Sequence, residues 1–457
     1  MTTAALFSSQ ANGTGEGAGD KLRLFTLLFG TFTVLHVIGY LLRYRAEPTW
    51  DLFALGAVGF LALIRPGAPL FAALIIMSLI SGWEQAPVGS NHTMLRNVVV
   101  LGAILLIVIK RGVRPAFADF AILGGGCLMV MYVFGIFHKI NTDFLNPDVS
   151  CGPALWAWMP PPLSWIKGAW MDEASIWGTF IVEGAILLAL FSHRFRHVGV
   201  VAGIGFHGLL SLTNYSMYIP FTSLAIALHF LFLSEIGAAR VARSAIGGWV
   251  LNAGQSPVRI CLFLLAFAVV AVCTRLGLFV GATLASGVIL GPICLAVAVY
   301  GHGGVRQGAT VTGKAIITLI VGGFFLLCLT PYTGLRTVQS MNMFANLRVE
   351  GGVSNHLVFG VPTMFPYVDD VVAIEAASGS RLLVRAANRD RIVPWRQVLT
   401  ELADNPNATV TYRRKTGEAV EISAADVRTE IAALPHPWVR KFIHYRSLPQ
   451  SLPLGCI

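Results

Sequence analysis

Three ionisable residues stand at the ends of long apolar stretches, where burial would penalise their charge. Lys139 closes the run from about Ala116 to Phe137, and a polar turn holding Asp143 and Cys151 follows it. His92, in Ser90-Asn91-His92-Thr93, opens an earlier run, and His207, in Gly205-Phe206-His207-Gly208, lies in a later one. Ionisable groups at membrane depth are costly and mark functional sites. A lysine at a helix end has two readings. It is an ammonium that snorkels to the headgroups, or a desolvated amine whose pKa falls until it can act as a base. Each histidine alone reads equally well as a satisfied core residue. An amine and two imidazoles converging at one pocket could bind and deprotonate a weak acid such as a phenol. His138, Glu183 and His36 are candidates to support them. No CxxC or HExxH spacing occurs, so the sequence offers no metal site.

These residues need apolar elements to hold them, and the composition supplies them. Of 457 residues, 55% are hydrophobic and 12% charged, about half the charge of a soluble domain. The chain reads as an all-α polytopic membrane protein, with the lipid bilayer as its first partner. A net charge of +10 would suggest nucleic acid in a soluble protein. Here the basic residues fall in short loops, which is topology. At about 20 residues per span, eleven helices are expected, near 23–42, 51–64, 67–83, 94–110, 116–138, 174–192, 197–214, 218–235, 258–277, 280–300 and 314–332. Thirteen loop Lys and Arg on one side against six on the other, Arg96 among the six, put the N-terminus inside the cell (inner) membrane. His92, Lys139 and His207 then share the outer side. Residues 1–20 read as disordered, and 241–333 as helices added to a core of 21–240. Gly124-Gly125-Gly126 would admit a flat ligand or, as readily, a packing helix.

Residues 334–457 change character to a small extracytoplasmic α+β domain. A strand is expected over Arg381–Ala387, a helix from Pro394, and a hairpin from 408–414 and 418–422. Ser423 with Asp426 resembles a capping box, and a basic helix is expected at 437–446. Cys151 and Cys456 both fall outside, where oxidation is allowed. Bridged thiols and two unrelated surface thiols are both open readings.

The order Asn91-His92-Thr93, Gly135 to Phe144 (GIFHKINTDF), then Phe206-His207 with Ser211 resembles the vitamin K-dependent γ-glutamyl carboxylase superfamily. This is the horizontally transferred transmembrane domain family, and the resemblance spans about 20–240. It implies Lys139 as the base that deprotonates reduced vitamin K or a menaquinol-type quinone. It also implies His92, His207 and Asn91 at the quinone, with O2 and CO2 as co-reactants and a secreted peptide or protein as substrate. The sequence departs from the carboxylase at His138, where that family carries a first lysine, and in its shorter C-terminal domain. Met343 to Leu357 instead resembles the tail of bacterial members. The alternative function is a non-catalytic membrane factor that binds or matures a secreted peptide.

Overall fold

The computed structural model describes residues 4–44, 47–87, 89–306 and 308–456, with side chains from Gly17 onward. The bundle is built from α1 (Ala4–Leu42), α2 (Trp50–Ile64), α3 (Ala68–Gln85), α4 (Asn91–Ile109), α5 (Val113–Phe137), α6 (Cys151–Ala157), α7 (Ala169–Phe191), α8 (Arg196–Leu210), α9 (Ile219–Phe230), α10 (Glu235–Arg243), α11 (Ala245–Leu251), α12 (Pro257–Leu276), α13 (Phe279–Tyr300) and α14 (Val311–Cys328).

Among the described residues, eight helices are long and apolar enough to cross a membrane, or nine if α9 and α10 are counted together. Eleven were expected, and not all of them are of spanning length. α2 and α8 stop at 15 residues each, about 22 Å of helix against a hydrocarbon core of about 30 Å. The helix in the expected 218–235 span stops at Phe230, and α10, which begins at Glu235, is bent by 116° from α9. Disorder was expected over 1–20, and α1 begins at Ala4; residues 1–3 lie outside the described residues.

α1 is the axis of the bundle, with 89% of its apolar window buried, against 28% for each of α12 and α14. Phe25 and Phe29 of α1 pack with Phe71, Phe117 and Phe120 in one aromatic cluster, which joins α1 to α3 and α5. The glycine triplet is a helix seam. A Cβ at Gly124 would meet Leu231, one at Gly125 Phe232, and one at Gly126 Val321.

α15 (Thr330–Thr333) ends the bundle, and an irregular strap over 334–370 leads to the C-terminal domain. That domain contains β1 (Val371–Ser378), α16 (Arg381–Ala387), β2 (Arg391–Pro394), α17 (Trp395–Asp404), β3 (Thr409–Arg413), β4 (Val420–Ser423), α18 (Arg428–Ala432), α19 (Pro437–Arg440) and β5 (Leu448–Pro449). Its antiparallel sheet runs β4-β3-β1-β2-β5, over a core that includes Val372, Ile374, Leu383, Val398, Leu402 and Val410.

The expected hairpin is β3–β4, and α17 follows Pro394 as expected. Arg381–Ala387 is a helix, not a strand. The Ser380 hydroxyl caps it by accepting from the Leu383 amide at 3.3 Å, and Leu383 and Ala386, three apart, face the core. The expected basic helix over 437–446 is four residues long and stops at Arg440. Asp426 accepts from the Ser423 amide and hydroxyl, both at 2.7 Å, yet the next helix begins only at Arg428.

Candidate active site

Where α5 ends, Asn141 sets the turn that aims Lys139. Its amide nitrogen donates to the His138 carbonyl at 2.7 Å and to the Ala345 carbonyl at 2.6 Å. Its carbonyl oxygen accepts from the Asp143 and Phe144 amides at 3.1 and 2.8 Å, an Asx-type turn. Asn141 is fully buried, so the turn is fixed from inside. Lys139 is thereby directed at the middle of α7. Its Nζ donates to Glu183 Oε1 at 2.7 Å and Oε2 at 2.9 Å. Both residues are 8% exposed, and the Phe144 ring lies 5.8 Å from the ammonium.

Lys139 and Glu183 line a cavity of about 310 Å³ with Asn91, Tyr132 and His207. The remaining wall is largely apolar and includes Met131, Met159, Phe206 and Phe221. Val182 and Leu209 belong to this wall and are also 40% and 42% exposed on the bundle surface. The cavity therefore opens sideways between α7 and α8, where acyl chains would lie. From the domain side it is closed by Met341, Met343 and Phe344 of the strap and by Cys151.

Behind His207 lies a chain of polar groups whose protons can be placed. His229 Nδ1 is 2.7 Å from the Ala225 carbonyl, which only accepts, so Nδ1 carries hydrogen and the Nε2 of a neutral imidazole accepts. The Tyr132 hydroxyl, 3.0 Å from that Nε2, donates to it and receives from His207 Nε2, also at 3.0 Å. His207 Nδ1 is then a bare lone pair, and it is buried with no partner. Gly203 makes room for this chain, since a Cβ there would sit 2.0 Å from His229 Nε2.

His92 does not join the cavity, contrary to expectation. Arg96 Nη1 donates to His36 Nε2 at 3.0 Å, so His36 Nδ1 donates to His92 Nε2 at 3.1 Å. His92 Nδ1 in turn donates to Ser90 Oγ at 2.6 Å. Both imidazoles are saturated, and the network ties α1 to α4 inside the bundle. Arg96, expected in a loop, lies within α4 and is fully buried.

His138 is also spent on structure, with Nδ1 2.7 Å from the Tyr332 hydroxyl and Nε2 2.8 Å from the Ser340 carbonyl. Asn91 lines the cavity, but its oxygen already accepts from the Met341 amide at 3.0 Å.

Tyr132 and His229 escape the sequence reading. Tyr132 lies seven residues, two helical turns, before Lys139 and so on its face. His229 interrupts the apolar 218–235 run and meets the same criterion that singled out His207. Among the described residues no three His, Cys, Asp or Glu could hold a metal ion.

Cys151 and Cys456 form a disulfide, with Cα atoms 4.7 Å apart. Chemically, the site offers one ion pair and one unpartnered imidazole nitrogen in an apolar, side-opening chamber. That set suits a flat, lipophilic molecule carrying a weakly acidic hydroxyl. The chain matches none of the protein-family models, curated proteins or solved structures with which it was compared.

Proposed function

We propose that the protein is a quinol-dependent membrane enzyme of the carboxylase/epoxidase type. It takes a reduced quinone, of vitamin K or menaquinol kind, from the outer leaflet of the cell membrane and deprotonates it in the α5–α7–α8 cavity. The observation that carries this reading is the meeting of Lys139, Glu183 and His207 in one largely apolar cavity. Loop charge puts the N-terminus in the cytoplasm. Counting the shorter α2 and α8 as crossings beside the nine spans keeps the total odd and puts Lys139 and the C-terminal domain outside, and a disulfide on the domain side fits an oxidising compartment.

In this mechanism a ring hydroxyl gives its proton to the Lys139–Glu183 pair. Lys139 acts as base once its own proton has moved to the carboxylate, and the resulting ammonium then faces the phenolate. His207 Nδ1 accepts from a quinol hydroxyl, and the Tyr132–His229 chain fixes its tautomer. Bound O2 would oxidise the deprotonated quinol, and CO2 would be the carboxyl donor to a secreted peptide or protein.

The test is oxygen-dependent epoxidation of reduced vitamin K by purified protein in detergent, with menaquinol in parallel. Lys139→Ala is expected to lower the rate by about 10² to 10⁴. A wild type indistinguishable from empty detergent with both quinols would end this reading.

A second reading, a non-catalytic factor for a secreted peptide, draws on one observation. Leu357, Val358, Phe359 and Met364 form an apolar segment 40% to 68% exposed, and exposed apolar patches mark contact surfaces. A Lys139→Ala strain that keeps the full cellular phenotype would favour it.

A further inference from the structure

At the opposite face from Lys139, positive charge is buried without enough negative charge to balance it. Lys21 of α1 is 1% exposed, and its Nζ meets Glu235 Oε1 of α10 at the long distance of 3.5 Å. Its electrostatic neighbours are Glu235, Arg306 and Arg196. Arg306, on the loop between α13 and α14, interacts with the same Glu235 and Arg196. Lys21 and Arg306 thus share one carboxylate, and the partly exposed Arg196 adds a third positive charge nearby. Asp20, the next acid in sequence, is taken up by Arg23 and Arg243, at 4.0 and 3.7 Å. Buried charge without a counter-charge is strongly disfavoured.

Arg306 shows where the missing charge belongs. Its guanidinium lies against the Phe232 ring, Cζ 5.5 Å from the centroid. Its Nε and Nη2 are buried with no hydrogen-bond partner. Those two nitrogens present parallel N–H bonds along one edge of the guanidinium, the fork that takes two oxygens of a phosphate or carboxylate at once. Burial also pushes this guanidinium down from its ordinary value to about 10, with Glu235 pulling only partly the other way. Arg196 is otherwise engaged, with Nε 3.4 Å from the Leu190 carbonyl and Nη2 3.2 Å from His193 Nδ1.

We infer that the node formed by Lys21, Arg196, Glu235 and Arg306 is a phosphate-binding site on the face opposite the candidate active site, with the Arg306 fork as its principal donor. A phospholipid headgroup and free inorganic phosphate share this chemistry, and the site faces the membrane boundary where the former is abundant.

Native mass spectrometry and thermal unfolding of the full chain in detergent would separate the sources. The protein is titrated with phosphatidylglycerol, with phosphatidylcholine, and with inorganic phosphate against chloride at matched ionic strength. Wild type is expected to retain one phosphatidylglycerol and gain several degrees in Tm, with no gain from phosphatidylcholine. A comparable gain from inorganic phosphate would identify the free anion as ligand.

Arg306→Gln is expected to lose both the bound lipid and the gain. Arg306→Lys, which keeps the charge but not the fork, should retain only part of them. Arg114→Gln, at an exposed position in the first turn of α5 on the same face, controls for net charge and should behave as wild type. Equal lipid retention by Arg306→Lys and wild type, equal loss in Arg114→Gln, or no response to either phosphate source would overturn the inference.

Discussion

Lys139 and Glu183 are each other's ion-pair partner, and both are buried. Removing one leaves the other charged and buried, which costs about 3 to 5 kcal/mol, whereas replacing both with apolar residues is far milder. Lys139→Met and Glu183→Leu should each lower Tm sharply in detergent, and the double variant should recover most of the loss. A double variant as unstable as the sum of the singles would contradict the pairing. The cycle also separates stability from chemistry, because the recovered double variant should still be inactive.

Lys139 and His207 are legible in the sequence because charge and imidazole are rare at membrane depth. Tyr132 is not, since a buried tyrosine is ordinary. The position of His92 is legible but its role is not. A sequence places a residue at the start of a helix without saying which way the side chain turns, and Arg96 turns this one inward through His36.

The lid over the cavity is made by irregular elements held at a few buried points. Asp143 Oδ2 accepts from the Asn355 side chain at 2.9 Å and the Leu454 amide at 2.8 Å. Asn346 Nδ2 donates to the Val149 and Leu454 carbonyls at 3.0 and 2.8 Å. The strap and the C-terminal tail are thus knotted to the loop that follows Lys139, and the Cys151–Cys456 bridge closes the knot. For a separation of 305 residues, loop-closure entropy sets an upper bound of about 6 kcal/mol on the stabilisation. The realised value is smaller, because the unfolded chain in detergent keeps much of its helix and the tail has its own hydrogen bonds.

Cys456→Ser is therefore expected to lower Tm, to free one thiol at Cys151 for labelling, and to loosen the tail, seen as faster hydrogen exchange over 451–456. Unchanged exchange and Tm would show that the bridge holds nothing the hydrogen bonds do not. The pairing was an open alternative in the sequence, since two outer cysteines give no distance. The strap was not legible as a lid, because it has no periodic pattern to read.

At the scale of the whole molecule, the apolar periodicity made the helical bundle plain, and the switch to a soluble pattern near residue 334 marked the second domain. Helix number was less legible. Apolar length cannot tell a full span from α2 and α8, which stop short, nor foresee the break between α9 and α10. Within the small domain, Arg381–Ala387 carries a short apolar alternation that suits strand or helix alike, and the Ser380 cap decides it.

The architecture places a side-opening chamber between α7 and α8, and Gly178 of α7 lines it with open space where a side chain would go: a Cβ there meets nothing within 4 Å. The central claim, that this chamber receives a reduced quinone, is tested most directly by photo-crosslinking a light-activated menaquinol analogue to the protein in bilayers and mapping the labelled peptides. The label should fall on 171–183 and 206–210, be displaced by excess menaquinol, and vanish in Gly178→Phe, which fills the chamber while leaving Lys139, Glu183 and His207 in place. Labelling at other segments, or labelling of 171–183 and 206–210 that persists undiminished in Gly178→Phe, would contradict it.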